Sequence, residues 1–185
     1  YPFLMRLSDN GRQMAVCCMK VENGTFGAQL QLYDLTKEEQ DSRISVELTD
    51  CVPLQMSYTS SGTLVVVCDS FTALYNTSTG EQTARYDYGD NQLLTAAIYN
   101  SNVLLVFGNP NSTAAGSCVL LGRDLQPAAS VSTDFDVRDA ALGKSGFYLI
   151  GKQIAVGYNL SGEEIIRQSL DARHKDDKKF VYTVD

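Results

Sequence analysis

Apolar and polar positions alternate in short runs along most of the chain, and Gly, Asn, Ser and Asp interrupt them. The clearest stretch is Phe147 to Leu170, FYLIGKQIAVGYNLSGEEIIRQSL. FYLIG ends at a Gly-Lys-Gln turn, IAVGYN ends at a Leu-Ser-Gly turn, and EEIIRQSL follows. These turn residues supply the positive φ and the local side-chain hydrogen bonds that hairpin loops need. Upstream, VRDAAL and the turn Gly143 to Gly146 add a strand, so residues 137–170 predict a four-stranded antiparallel meander. No segment carries a sustained apolar i, i+3, i+4 pattern, so almost no helix is expected.

Three further stretches have the same form. Residues 3–49 read as FLMRLS, QMAVCCMK, AQLQLYD and RISVELT, with a long loop from Val21 to Gly27. Residues 54–87 read as LQMSYT, TLVVVC, FTALYN and EQTARYD, where LVVV is the kind of run that marks a strand buried on both faces. Residues 93–134 read as LLTAAIY, VLLVFG, SCVLLG and AASVSTD, with a loop around Asn109-Pro110-Asn111. Beyond residue 170, Lys179 to Val184 (KFVYTV) predicts one more strand.

Two anchors recur. One closes the first hairpin of each unit, at Gly11, Gly62, Asn102 and Gly146. The other precedes the last strand, as YDLT at Tyr33, YNTSTGE at Tyr75, GRDLQP at Gly122 and YNLSGEE at Tyr158. Their spacing centres near the roughly 40–45 residues of a four-stranded propeller blade. The fold class is therefore all-β, a β-propeller-like array of four four-stranded antiparallel blades in a single domain, 1–185. It is either a closed four-blade ring or an arc of a larger propeller. An arc would leave open edges, which are templates for pairing, so a homo-oligomer is one expectation.

The strand–turn–strand of the second and fourth units resembles blades of the quinoprotein-like and WD40-like propellers. In particular it resembles an uncharacterised family of surface propellers of Gram-positive anaerobes. That resemblance implies an extracellular or membrane-tethered surface location within a larger protein. Asp139-Ala140-Ala141 and the hairpin after it also resemble the four-bladed hemopexin-like repeat.

Composition narrows the chemistry. The 44% hydrophobic content suits a packed core. The apolar runs are far shorter than the ~18–20 residues that span a bilayer. A chain that opens on Tyr1 predicts a processed or truncated N-terminus. With 22 acidic against 15 basic residues the net charge is −7, which disfavours a phosphate backbone and excludes nucleic acid as the expected partner. The basic run Arg173 to Lys179 is broken by Asp176 and Asp177 and reads as a solvated segment. Five cysteines, Cys17, Cys18, Cys51, Cys68 and Cys118, show no CxxC pair. Buried thiols are the expectation, pointing to a reducing compartment and keeping a cytoplasmic location open.

Candidate sites are few. His174, the single histidine, lies outside the repeat, where a catalytic base has no rigid setting. Vicinal Cys17 and Cys18 point to opposite faces of a strand and do not chelate one metal. Asp87 and Asp90 in one inter-unit link, and Asp134, Asp136 and Asp139 in the next, are the candidate binding residues. Oxygen-rich loops of this kind hold Ca²⁺ or, as a pair, hydrolyse glycosides. No nucleotide-binding motif occurs, no cofactor is expected, and the sequons at Asn23, Asn76, Asn111 and Asn159 read as turn chemistry. Tyr33, Tyr75 and Tyr158 read as packing residues with a sugar-stacking alternative. The reading is a non-catalytic binding or scaffolding module that presents blade loops to protein or carbohydrate. The alternative is a carbohydrate-active enzyme using the loop carboxylates.

Overall fold

A computed structural model describes residues 1–22, 25–38, 43–60, 62–108 and 116–170. His174, the basic run, the Lys179–Val184 strand and the sequons at Asn23 and Asn111 lie outside the described residues. Sixteen strands form four antiparallel sheets, each a simple meander in chain order. The first holds β1 (Pro2–Leu7), β2 (Gln13–Glu22), β3 (Thr25–Asp34) and β4 (Arg43–Leu48). The second holds β5 (Pro53–Ser60), β6 (Thr63–Cys68), β7 (Phe71–Asn76) and β8 (Gln82–Asp87). The third holds β9 (Leu93–Tyr99), β10 (Asn102–Phe107), β11 (Ser117–Leu121) and β12 (Pro127–Ser132). The fourth holds β13 (Val137–Leu142), β14 (Gly146–Gly151), β15 (Ile154–Asn159) and β16 (Glu164–Ser169). The predicted all-β array of four four-stranded blades is the observed fold.

The chain divides into two compact units, Tyr1–Gly89 and Asp90–Asp185, with two sheets in each. The core of the first unit lies between its sheets and joins Ala15, Cys17, Leu30 and Leu32 to Met56, Leu64, Val66 and Tyr75. The core of the second joins Leu104, Val106, Cys118 and Leu120 to Phe147, Leu149, Val156 and Tyr158. The middle strands β6 and β10 are buried along five consecutive residues each. This is what their unbroken apolar runs require.

The expected loop at Val21 to Gly27 is shorter than predicted. Val21 pairs with Phe26 and Glu22 with Thr25, so β2 and β3 run on as ten-residue strands. Val, Phe and Thr are strand-favouring residue types, so the ladder runs on as far as the Glu22–Thr25 pair.

Each outer turn starts from an Asx side chain that accepts the amide two residues on. Asp34 takes Thr36 N–H at 3.0 Å, Asn76 takes Ser78 at 2.8 Å, Asp124 takes Gln126 at 3.2 Å and Asn159 takes Ser161 at 2.9 Å. This Asx turn is the physical content of the second sequence anchor. In the second and fourth sheets the turn also carries a glycine seated on the outermost strand of the sheet before it. Gly80 (φ +76) would place a Cβ 2.7 Å from Ile44 and 2.9 Å from Val46 on β4; Gly162 (φ +83) would place one 3.2 Å from both Ala129 and Val131 on β12. Both glycines are thus required twice over, by dihedral and by approach. Gly80→Ala is expected to cost about 2 kcal/mol and Gly162→Ala about 1 kcal/mol, ranked by that crowding and read as shifts in urea midpoint.

Candidate functional site

The face of the first sheet turned away from its core is an uncovered, partly apolar surface. Register puts Met5 opposite Val16, and Leu7 opposite Met14, on this face. It continues through Cys18, then Gln29, Gln31 and Tyr33 on β3, and Ser45 and Glu47 on β4. Met5 is 58% exposed and Leu7 56%. Beside this apolar half runs a hydrogen-bonded row. Tyr33 Oη donates to Gln31 Oε1 (2.7 Å), Gln31 Nε2 to Gln29 Oε1 (2.9 Å), and Gln29 Nε2 to Glu47 Oε1 (2.6 Å). Lys20 Nζ meets the same carboxylate at 2.7 Å. The Lys20 and Gln29 hydrogen bonds hold the Glu47 carboxyl below its usual range. Each link ties a long side chain to its neighbour two residues away or across the ladder, so the polar half is ordered although it faces solvent.

The repeat tells what such a face ordinarily does. Tyr75 and Tyr158 occupy the position of Tyr33 in the second and fourth sheets, and both are buried in the core between two sheets. The residue after each turn Asx is buried or packed in three sheets: Thr77, Leu125 and Leu160. In the first sheet it is Leu35, 49% exposed. The first sheet thus carries the packing residues of its repeat on a surface that meets solvent.

Of the acidic candidates, Asp87 Oδ1 is bound by Arg85 at 2.7 Å, Asp136 by Arg138 at 2.6 Å and Asp134 by Arg167 at 3.2 Å. Asp139 accepts the Ala140 amide at 2.8 Å. Asp90 borders an open cavity of about 580 Å³ with Gln92, Phe107, Ser117 and Thr133. Arg167 also grips Glu164 at 2.8 Å, which holds that carboxyl below its usual range. These carboxylates are mostly tied to residues of their own sheet, and in the three cavities at Cys51, Asp90 and Tyr58 only Asp90 of the five is a wall residue. Nor is any group of three His, Cys, Asp or Glu side chains there placed to hold a metal ion.

Two features were not singled out in the sequence. One is the Gln29–Gln31–Tyr33 row, whose signal is the strict alternation of AQLQLYD. The other is the meeting of Cys51 with Cys68, which has no signal, because Cys51 precedes β5 and its position depends on the turn at Asp50 (φ +53).

The family model of DUF5711, a family of unknown function, matches residues 1–179. The chain belongs to this family. No curated protein matches it. Among solved structures, the crystal structure of BamB from Moraxella catarrhalis, a β-propeller, is similar to this DUF5711 chain at 11% identity and a TM-score of 0.53. The match covers 88% of this chain and 51% of that one, so the chain spans about half the length of that propeller. At this identity the likeness carries the fold of the DUF5711 chain and nothing about its partners.

Proposed function

We propose that this chain is a non-catalytic, protein-binding propeller module whose docking surface is the open face of the first sheet. The observation behind it is that surface itself: Leu35 is exposed where its repeat counterparts Thr77, Leu125 and Leu160 are buried or packed, and Met5 and Leu7 stand exposed on the same sheet. The face is flat, apolar on its inner half and hydrogen-bonded on its outer half, which fits another sheet. The occupant we propose is a second copy, presenting the face of its fourth sheet turned away from the core. There Tyr148, Ile150 and Ala155 are partly exposed and Ile166 is 46% exposed. Apolar-to-apolar contact of this kind is the ordinary driving force of association. A surface location in a larger protein, as the resemblance to surface propellers implies, is compatible with this reading and is part of the proposal. Carbohydrate recognition and glycoside hydrolysis have no comparable feature in their favour.

Sedimentation velocity between roughly 1 and 100 μM tests it, since an interface of modest size gives micromolar affinity. The unaltered chain is expected to dimerise, and Met5→Lys/Leu7→Lys is expected to stay monomeric with an unchanged circular dichroism spectrum. Ile150→Lys, on the outward face of the fourth sheet, should do the same. A chain that remains monomeric throughout overturns the second copy as occupant.

A further inference from the structure

A cavity of about 260 Å³ opens on the first unit, with Phe3, Met19, Pro53, Asp69 and Cys51 in its wall. Cys51 is partly exposed there, while Cys68 lies directly behind it and is fully buried. Cys51 packs against the buried core cluster that contains Cys68. Their segments are fixed together. Asp69 N–H donates to Val52 O at 3.0 Å, Val52 N–H donates to Asp69 Oδ1 at 2.9 Å, and Pro53 stands opposite Cys68 in the register. Two thiols are therefore held on neighbouring paired segments, one in the cavity wall and one in the core cluster against which it packs. This is the arrangement of an attacking and a resolving cysteine.

We propose that Cys51 and Cys68 are a dithiol–disulfide couple reached through this cavity, with low-molecular-weight disulfides as the oxidant. The Cys51 thiolate attacks one sulfur of the disulfide RSSR. A Cys51–SR bond forms, the S–S bond of RSSR breaks, and RS⁻ leaves to take a proton from water. Cys68 then attacks the Cys51 sulfur, the Cys51–SR bond breaks, and the second RS⁻ leaves with the Cys68 proton. Two electrons pass from the cysteine pair to RSSR, giving one protein disulfide and two RSH. The protonation states agree with these roles. The neighbouring Cys68 side chain holds the Cys51 thiol below its ordinary value, while Cys51 and burial raise Cys68. Cys17 is the nearest competitor. Its sulfur lies 3.9 Å from Met56 Sδ, and burial pushes its thiol up to about 12.

The test is native incubation of the whole chain with oxidised glutathione, followed by acid quench, N-ethylmaleimide and non-reducing peptide mass spectrometry. The expected product is a Cys51–Cys68 bridge, lighter by two hydrogens and reversed by dithiothreitol, with buried Cys118 still unmodified as the sign that the fold is intact. Cys68→Ala is expected to stop at a glutathione adduct on Cys51. Cys51→Ala, made in a Cys18→Ala background because Cys18 is itself partly exposed, is expected to slow consumption of the disulfide at least about tenfold, since the remaining thiols Cys17, Cys68 and Cys118 are buried. The proposal is overturned if the unaltered chain carries glutathione on Cys51 while Cys68 stays a thiol, or if the bridge formed involves Cys17.

Discussion

Gly146→Ala is expected to be the most damaging alanine substitution among the described glycines, at about 3–4 kcal/mol, the size of a large backbone angle distortion. Gly146 opens β14 and pairs with Asn159 on β15. A Cβ there would run into the carbonyl oxygen of Tyr158, with the Tyr158 carbonyl carbon at 3.2 Å and Asn159 Cα at 3.3 Å. All three atoms are backbone within a paired strand, so no rotamer change relieves the clash. The neighbourhood is also rigid, because Phe147 stacks on Tyr158 with ring centroids 5.2 Å apart. Gly11→Ala is the control: that glycine has φ +67 and open space around it, so only the dihedral penalty of about 1 kcal/mol applies. Urea unfolding of both variants decides the point. A Gly146→Ala chain no less stable than Gly11→Ala would mean that the β14–β15 pairing yields easily.

Leu125→Ala is expected to cost about 2–4 kcal/mol, as for a fully buried leucine, while Leu35→Ala should stay within about 0.5 kcal/mol. Both leucines follow the Asx of an outer turn, in Asp124-Leu125 and Asp34-Leu35. Leu125 is 1% exposed and Leu35 49%. The pair therefore measures the repeat argument directly, with one repeat position, one residue type and two environments. If Leu35→Ala destabilised the dilute, monomeric chain as much as Leu125→Ala does, the first sheet's outward face would already be covered, and the docking surface proposed for it would not exist. Concentration matters to the measurement, because an occupant that binds only the folded chain adds stability by mass action.

The strands were legible because each is short, apolar by alternation and closed by turn residues with a mechanism. The second anchor was legible for the same reason, since an Asx accepting a nearby amide leaves its signature in Asp34, Asn76, Asp124 and Asn159. The first anchor conceals three different causes under one letter. Gly11 and Gly62 serve their positive φ, Gly146 serves a close backbone approach, and at Asn102 the left-handed residue is Asn100 (φ 52) two positions earlier. The carboxylates Asp87, Asp134 and Asp136 looked like a reserve of free ligands because their arginines cannot be assigned from spacing alone. Arg85 and Arg138 lie two residues from their partners, whereas Arg167 reaches Asp134 from β16. The open face was hidden because Tyr33 and Leu35 read in the sequence like Tyr75 and Leu125, which are buried; only the neighbouring surface differs.

The outer hairpins carry one more consequence. In three sheets the last strand takes an extra residue against its neighbour, at Thr83, Ala128 and Ile165, while β3 and β4 pair without a break. A bulge twists the outermost strand and spoils it as a template for a foreign strand. β4 lacks that protection and relies on the charges of Arg43 and Glu47 instead. Where high salt mutes those charges, intermolecular sheet growth and precipitation would begin at β4, ahead of the outer strands of the other three sheets.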